Sequence, residues 1–151
     1  MNNKLRRIDP LIRRAEERRE AVAREFAARN RQLAQQEQRL GELLRYVDEY
    51  AQWPQGASLG PAQLANREAF RDKLGQAVDA QRTYVEACRS QAELERVRLT
   101  LASRESKVVE KLADNYREEA RQQNQRLEQK ELDEFAVGRF ARPGHGQEPT
   151  R

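Results

Sequence analysis

The 151-residue chain has one cysteine, one histidine, one tryptophan and one methionine. Cys88 alone can form neither an intramolecular disulfide nor a cysteine-based zinc site, a usage that fits a reducing compartment. His145 stands in a Gly/Pro-rich stretch near the C-terminus, which defeats His-based triads and paired-His metal sites. Val, Ile and Thr total 13, too few for a β-rich core. No run approaches the ~20 apolar residues of a membrane span, and the first residues lack the apolar segment of a signal peptide. Also missing is a Gly-x-x-x-x-Gly-Lys loop to cradle a nucleotide's phosphates. Carboxylate neighbours such as Glu16-Glu17 and Glu118-Glu119 read as solvated helix faces. The expectation is a cytoplasmic chain with no catalytic residue, no cofactor and no metal site.

What the chain does have is charge of both signs. Charged residues make up 36%, yet the net charge is only +4. Leu, Ile, Val and Phe number 29, a scarcity typical of disorder, but disorder by composition also calls for high net charge. Ala, Glu, Lys, Leu and Arg account for 83 residues, the balance of long helices or coiled coil.

Pro and Gly punctuate the chain sparsely. Asp9-Pro10 reads as a helix start, with Asp capping free N–H groups and Pro in the first turn. The segment from Trp53 to Pro61 clusters Gly and Pro and reads as a loop. Gly138 reads as a helix stop. The division predicted is a hairpin over 1–137, with a helix at 10–52, a loop at 53–61 and a longer helix at 62–137. Residues 138–151 are expected to form a flexible, disordered tail.

Periodicity supports two long amphipathic helices. Alternate steps of three and four select Leu5, Ile8, Ile12, Ala15, Arg19, Val22, Phe26, Arg29, Leu33, Gln36, Leu40, Leu43, Val47 and Tyr50. Eleven of these fourteen are apolar, a coiled-coil seam in which Arg19, Arg29 and Gln36 can help to fix register. In the second helix the same steps select Phe70, Lys73, Ala77, Ala80, Tyr84, Ala87, Gln91, Leu94, Arg98, Leu101, Glu105, Val108 and Leu112. The fold class expected is all-α, an antiparallel two-helix coiled-coil hairpin with a longer second helix.

Folding about the loop sets residue i opposite roughly residue 113 − i on this reading. Residues 113–137 then have no internal partner, although they carry Tyr116, Ala120, Leu127, Leu132 and Phe135. Unpartnered apolar helix of this kind marks a binding surface. Residues 1–31 hold ten Lys/Arg against five Asp/Glu, and residues 113–137 hold four against seven. Acidic residues interleave throughout the basic stretches, so nucleic acid is not an expected partner, and mixed-sign polar faces argue against membrane insertion.

Several stretches resemble one family. Arg7-Ile8-Asp9-Pro10-Leu11-Ile12-Arg13-Arg14-Ala15-Glu16-Glu17-Arg18-Arg19-Glu20 looks like the start of the flagellar export proteins called FliJ. Tyr46-Val47-Asp48-Glu49-Tyr50 before the loop, Asn66-Arg67-Glu68-Ala69-Phe70 after it, and Gln129-Lys130-Glu131-Leu132-Asp133-Glu134-Phe135-Ala136 fit the same pattern. The resemblance spans nearly the whole chain. It implies a non-enzymatic stalk of the type III export apparatus, similar to the central stalk of rotary ATPases, at the cytoplasmic periphery of the inner membrane. The partners it implies are the hexameric flagellar export ATPase, the cytoplasmic region of the export-gate membrane protein, and export chaperones.

Carried onto this sequence, the resemblance assigns gate binding to Phe70, Leu74, Ala77 and Gln81, the last standing where some relatives are expected to have histidine. Leu74 lies outside the seam read above, which favours a partner-facing role. Ring binding falls to the end where both termini meet, with Arg13, Arg14, Tyr116, Leu127, Leu132 and Phe135 as its residues. Two other functions remain open at this point: the equivalent stalk of a virulence injectisome, and a homodimeric coiled-coil scaffold without an export role.

Overall fold

The structure, a computed structural model, describes residues 3–52 and 59–141. Helix α1 spans Asn3–Gln52 and helix α2 spans Pro61–Ala141. The described residues contain no strand, and the two helices pack against each other antiparallel, an all-α hairpin. The chain divides into two compact units: a middle unit of residues 16–105 and a terminal unit of residues 1–15 with 106–151. Of the expected loop 53–61, residues 53–58 lie outside the described residues, and of the expected tail 138–151, residues 142–151 do, while 138–141 are helical.

The helix bounds differ from the expected ones at three ends. α1 begins at Asn3, so Pro10 lies inside it instead of in its first turn. Pro10 forfeits one backbone hydrogen bond on an exposed face, while Ile8 and Ile12 on either side of it pack inward, Ile8 to 2% exposure. α2 starts at Pro61, with its entry fixed by Gly60: the Gly60 N–H donates to Gln63 Oε1 at 3.3 Å. The Leu64 N–H donates to the Gly60 carbonyl at 3.0 Å, so a half capping box and a first-turn proline define the start. At the far end α2 runs through Gly138, which stays helical, and reaches Ala141. Pro143 follows two residues later, and a proline disfavours helix in the residue before it.

The α1 seam is the one expected. Thirteen of its fourteen positions are buried or half-buried, and only Arg19 is exposed. The α2 seam is displaced from the expected series by one residue. Its inward positions are Leu74, Val78, Gln81, Val85, Cys88, Ala92, Glu95, Leu99, Ala102, Ser106, Val109 and Ala113. Phe70, Tyr84, Leu94, Leu101, Val108 and Leu112 are exposed instead. The α2 seam mixes Leu74, Val78, Val85, Leu99 and Val109 with the small Cys88, Ala92, Ala102, Ser106 and Ala113, and small residues at a seam let two helices approach closely.

The pairing register is displaced as well. In the middle unit Arg29 meets Gln91 and Tyr50 meets Phe70; in the terminal unit Lys4 meets Tyr116. These partners place residue i opposite about residue 120 − i instead of 113 − i. The cause is visible beside the loop, where residues 61–66 form exposed helix before pairing begins at Arg67. Seven more residues of α2 are therefore covered than expected. Ala113 is 1% exposed, and Tyr116 and Ala120 are half-buried.

Candidate functional site

In the middle unit, the residues flanking the loop form an aromatic cluster. The Phe70 ring sits edge-on to Tyr50, with centroids 4.9 Å apart, and to Tyr46 at 6.4 Å. The Arg67 guanidinium lies 5.6 Å from the Tyr50 ring centre, and Tyr50 Oη donates to the Arg67 carbonyl at 3.5 Å. These contacts hold the start of α2 against the end of α1, yet Phe70 keeps 39% of its surface in solvent. Ala77 is exposed two turns further on.

Leu74 and Gln81 do not share that exposure. Leu74, placed outside the seam by sequence, is a seam residue at 9% exposure, because the α2 seam is the series one residue over. Gln81 donates from Nε2 to the backbone oxygen of Gln36 at 3.0 Å and to its Oε1 at 2.9 Å. The four residues of the expected gate stripe therefore divide into an outward pair, Phe70 and Ala77, and an inward pair.

In the terminal unit, Arg13 and Arg14 project from α1 into solvent. Tyr116 is not part of an unpartnered segment: it lies half-buried, with the Lys4 ammonium 5.4 Å from its ring centre. A shallow cleft beside it is lined by Asn3, Lys4, Leu5, Tyr116, Glu119, Ala120 and Gln123. Beyond Ala120 every residue to Phe140 is exposed. Leu127 is 47%, Leu132 65% and Phe135 67% exposed, and Val137 and Phe140 join them at 66% and 92%. Leu127 continues the seam face seven residues after Ala120. At about 100° per residue, Leu132, Phe135, Ala136 and Phe140 form a separate stripe turned away from it. Arg139 lies over the Phe135 ring at 5.6 Å.

Several surface charges of both units pair locally. Cross-helix pairs include Arg18 with Glu105 at 2.9 Å and Arg89 with Glu37 at 3.2 Å in the middle unit, and Lys4 with Glu119 at 3.8 Å in the terminal unit. The Arg96 guanidinium holds the Glu93 carboxyl below its ordinary range by hydrogen bonding, and Glu93 in turn raises Arg96. Among the described residues no group of three or more His, Cys, Asp or Glu could hold a metal ion. None of the described helices is long and apolar enough to cross a membrane.

The family model for the flagellar FliJ protein matches residues 3–145. The chain belongs to the FliJ family. No curated protein and no solved structure matches it. Membership makes the chain a component of the flagellar export apparatus, in a family of non-catalytic, stalk-like proteins. The stretches that resemble FliJ have definite places here. Tyr46–Tyr50 and Asn66–Phe70 meet in the aromatic cluster, and Gln129–Ala136 lies on the exposed segment of α2. Val137 and Phe140 were not among the residues expected on this exposed segment. The four-residue spacing from Leu132 to Ala136 to Phe140 is the signal that extends the stripe to them.

Proposed function

We propose that this FliJ-family chain is an adaptor that binds the hexameric export ATPase through its terminal unit and promotes ring assembly and activity without catalysing a reaction. The observation that carries this reading is the exposed helix of residues 121–140, regular yet uncovered by α1. Helix that stays exposed with Leu127, Leu132 and Phe135 on its surface has apolar area to offer a partner. Arg13 and Arg14 add positive charge to the same unit, and Tyr116 shapes the base of the exposed segment against Lys4.

The second contact in this reading is with the cytoplasmic region of the export-gate membrane protein, at the periphery of the inner membrane. Phe70 and Ala77 present the surface for it, with Leu74 and Gln81 fixing the helix from inside the seam. Export chaperones are the third class of partner. The test is turnover and ring assembly of the cognate ATPase with and without the purified chain. Stimulation is expected, with a loss of binding in the double variant Leu132→Asp, Phe135→Asp at unchanged helicity. Unchanged ATPase turnover and assembly would overturn the adaptor reading, and unchanged affinity of the double variant would remove the tip from it.

A further inference from the structure

The outward side of α2 in the terminal unit carries a second heptad series. Steps of four and three from Val108 select Leu112, Asn115, Glu119, Gln122, Arg126, Gln129, Asp133, Ala136 and Phe140. All are exposed, and Val137 stands beside Ala136 at 66% exposure. The series is apolar at its two ends and polar in its middle, and its midpoint is level with residue 124. A second copy laid alongside in the opposite direction sets residue i against about residue 248 − i, as in an antiparallel coiled coil. Val108 then meets Phe140, Leu112 meets Ala136 with Val137, and Gln122 meets Arg126. Glu119 comes within reach of the second copy's Lys130, so charges oppose as well.

The partner helix α1 extends the apolar end of this surface. Lys4 and Glu119 pair across the helices at 3.8 Å. One heptad along each helix, the same edge is occupied by Leu11 and Leu112, which are 50% and 40% exposed where a charge pair would otherwise stand. Arg7 and Arg14, a turn to either side of Leu11, make no ion pair among the described residues. In the antiparallel register Arg7 is level with the second copy's Phe135, one residue from its Glu134.

We infer that this side of the terminal unit docks a second copy of the chain, in a twofold antiparallel pair of α2 helices centred near Asn124. A twofold interface must be self-complementary, with each patch serving both copies, and this series meets that condition. A parallel pairing in register would set Glu119 against Glu119 and Arg126 against Arg126, so the charges select the antiparallel form. The inference does not rest on the ATPase reading, but Ala136 and Phe140 belong to the stripe of Leu132 and Phe135, so on both readings the second copy and the ATPase compete for it.

Sedimentation equilibrium of the full chain tests it. The mass is expected to rise with concentration from 17.6 kDa toward twice that value. Leu112→Asp and Phe140→Asp should each weaken association by about tenfold or more, and both side chains are exposed, so helicity should be unchanged. Glu119→Lys should weaken the pair, and adding Lys130→Glu should restore it. Lys4→Ala, which removes the internal partner of Glu119, should leave association alone. A constant monomer mass at all concentrations overturns the inference, as does a dimer indifferent to Leu112→Asp and Phe140→Asp. Failure of Lys130→Glu to restore Glu119→Lys overturns the antiparallel register.

Discussion

Gln81 reaches across the seam to Gln36 and engages both its backbone oxygen and its side-chain oxygen, at 3.0 and 2.9 Å. Gln36 is only 7% exposed, so the pair forms a buried polar layer between otherwise apolar ones. Both bonds are donated by the Gln81 amide, and a slip of the helices would break them. Gln36→Leu removes the Oε1 acceptor but leaves the backbone oxygen, so the Gln81 amide keeps one bond and the cost should be about 0.5–1.5 kcal/mol. The double change to leucine should recover much of that loss while loosening register, as polar seam residues commonly trade stability for alignment. Urea unfolding of the two single variants and the double variant measures the coupling.

Leu74 and Leu101 are both leucines of α2, but they lie on different faces, at 9% and 58% exposure. Leu74→Ala should destabilise the chain by about 2–3 kcal/mol, as removal of a buried leucine usually does. Leu101→Ala should change stability by no more than about 0.5 kcal/mol. Equal effects in denaturant titrations would place the seam on the wrong face of α2.

This one-residue displacement also shows what the sequence could and could not disclose. On α1 a single stripe alternates with polar residues, so the seam from Leu5 to Tyr50 was legible, as was the hairpin itself from the Gly/Pro cluster. α2 carries two adjacent stripes. The expected one has Leu94, Leu101 and Val108 but also Lys73, Arg98 and Glu105, whereas the buried one holds Leu74, Val78, Val85, Cys88, Ala92, Leu99, Ala102, Val109 and Ala113 and no Lys or Arg. The charged positions separate the two stripes, while the size of the side chains along the buried one, from Leu74 to Ala113, depends on its fit against α1, a property of the pair that no pattern on one helix contains. The site residues inherit that displacement: Leu74 moves inward, and with the seven-residue change of register Tyr116 becomes covered. Leu132 and Phe135 were legible as exposed because they lie beyond the reach of α1 in either register.

Ser106 and Glu95 are the imperfections of the α2 seam. The Ser106 hydroxyl is 2% exposed, and Oγ has no hydrogen-bond partner; Glu95 Oε2 is likewise unpartnered. Glu95 Oε1 pairs only with Arg98 on its own helix, at 3.2 Å. Ser106→Ala removes an unsatisfied group and improves helix propensity, so a gain of about 0.5–1 kcal/mol is expected. Glu95→Leu should gain about 1–3 kcal/mol, since a buried charge with incomplete partners is often replaced by an apolar side chain to advantage. Thermal unfolding of each variant checks the sign.

Glu93 and Arg96 are one turn apart on α2, and Arg96 hydrogen-bonds the carboxylate and lowers its pKa. A carboxyl depressed on folding contributes stability above its unfolded pKa and loses it as pH falls through the folded value. Glu93→Gln should therefore be measurably less stable than the parent at pH 7, with the difference vanishing in acid. Arg96 is raised from an already high value and stays charged throughout that window, so it adds no pH dependence. The pair is fully exposed, so salt should shrink the difference as well. A difference that persists in acid would show that Glu93 acts through something other than its charge.

Gly41 and Gly75 lie inside α1 and α2, and a Cβ built at either position would meet nothing within 4 Å. Neither has the positive φ that calls for glycine. Packing therefore gives no reason for either residue, while each carries the usual penalty of glycine in a helix. Gly41→Ala and Gly75→Ala should each stabilise the chain by about 1 kcal/mol through a less flexible unfolded state. The register sets Gly41 opposite about residue 79 and Gly75 opposite about residue 45, so the two are not direct partners and their effects should add. Melting temperatures of the two single variants and the double variant test this. A loss of stability in either single variant would mean that the helix at that glycine departs from the open geometry seen here.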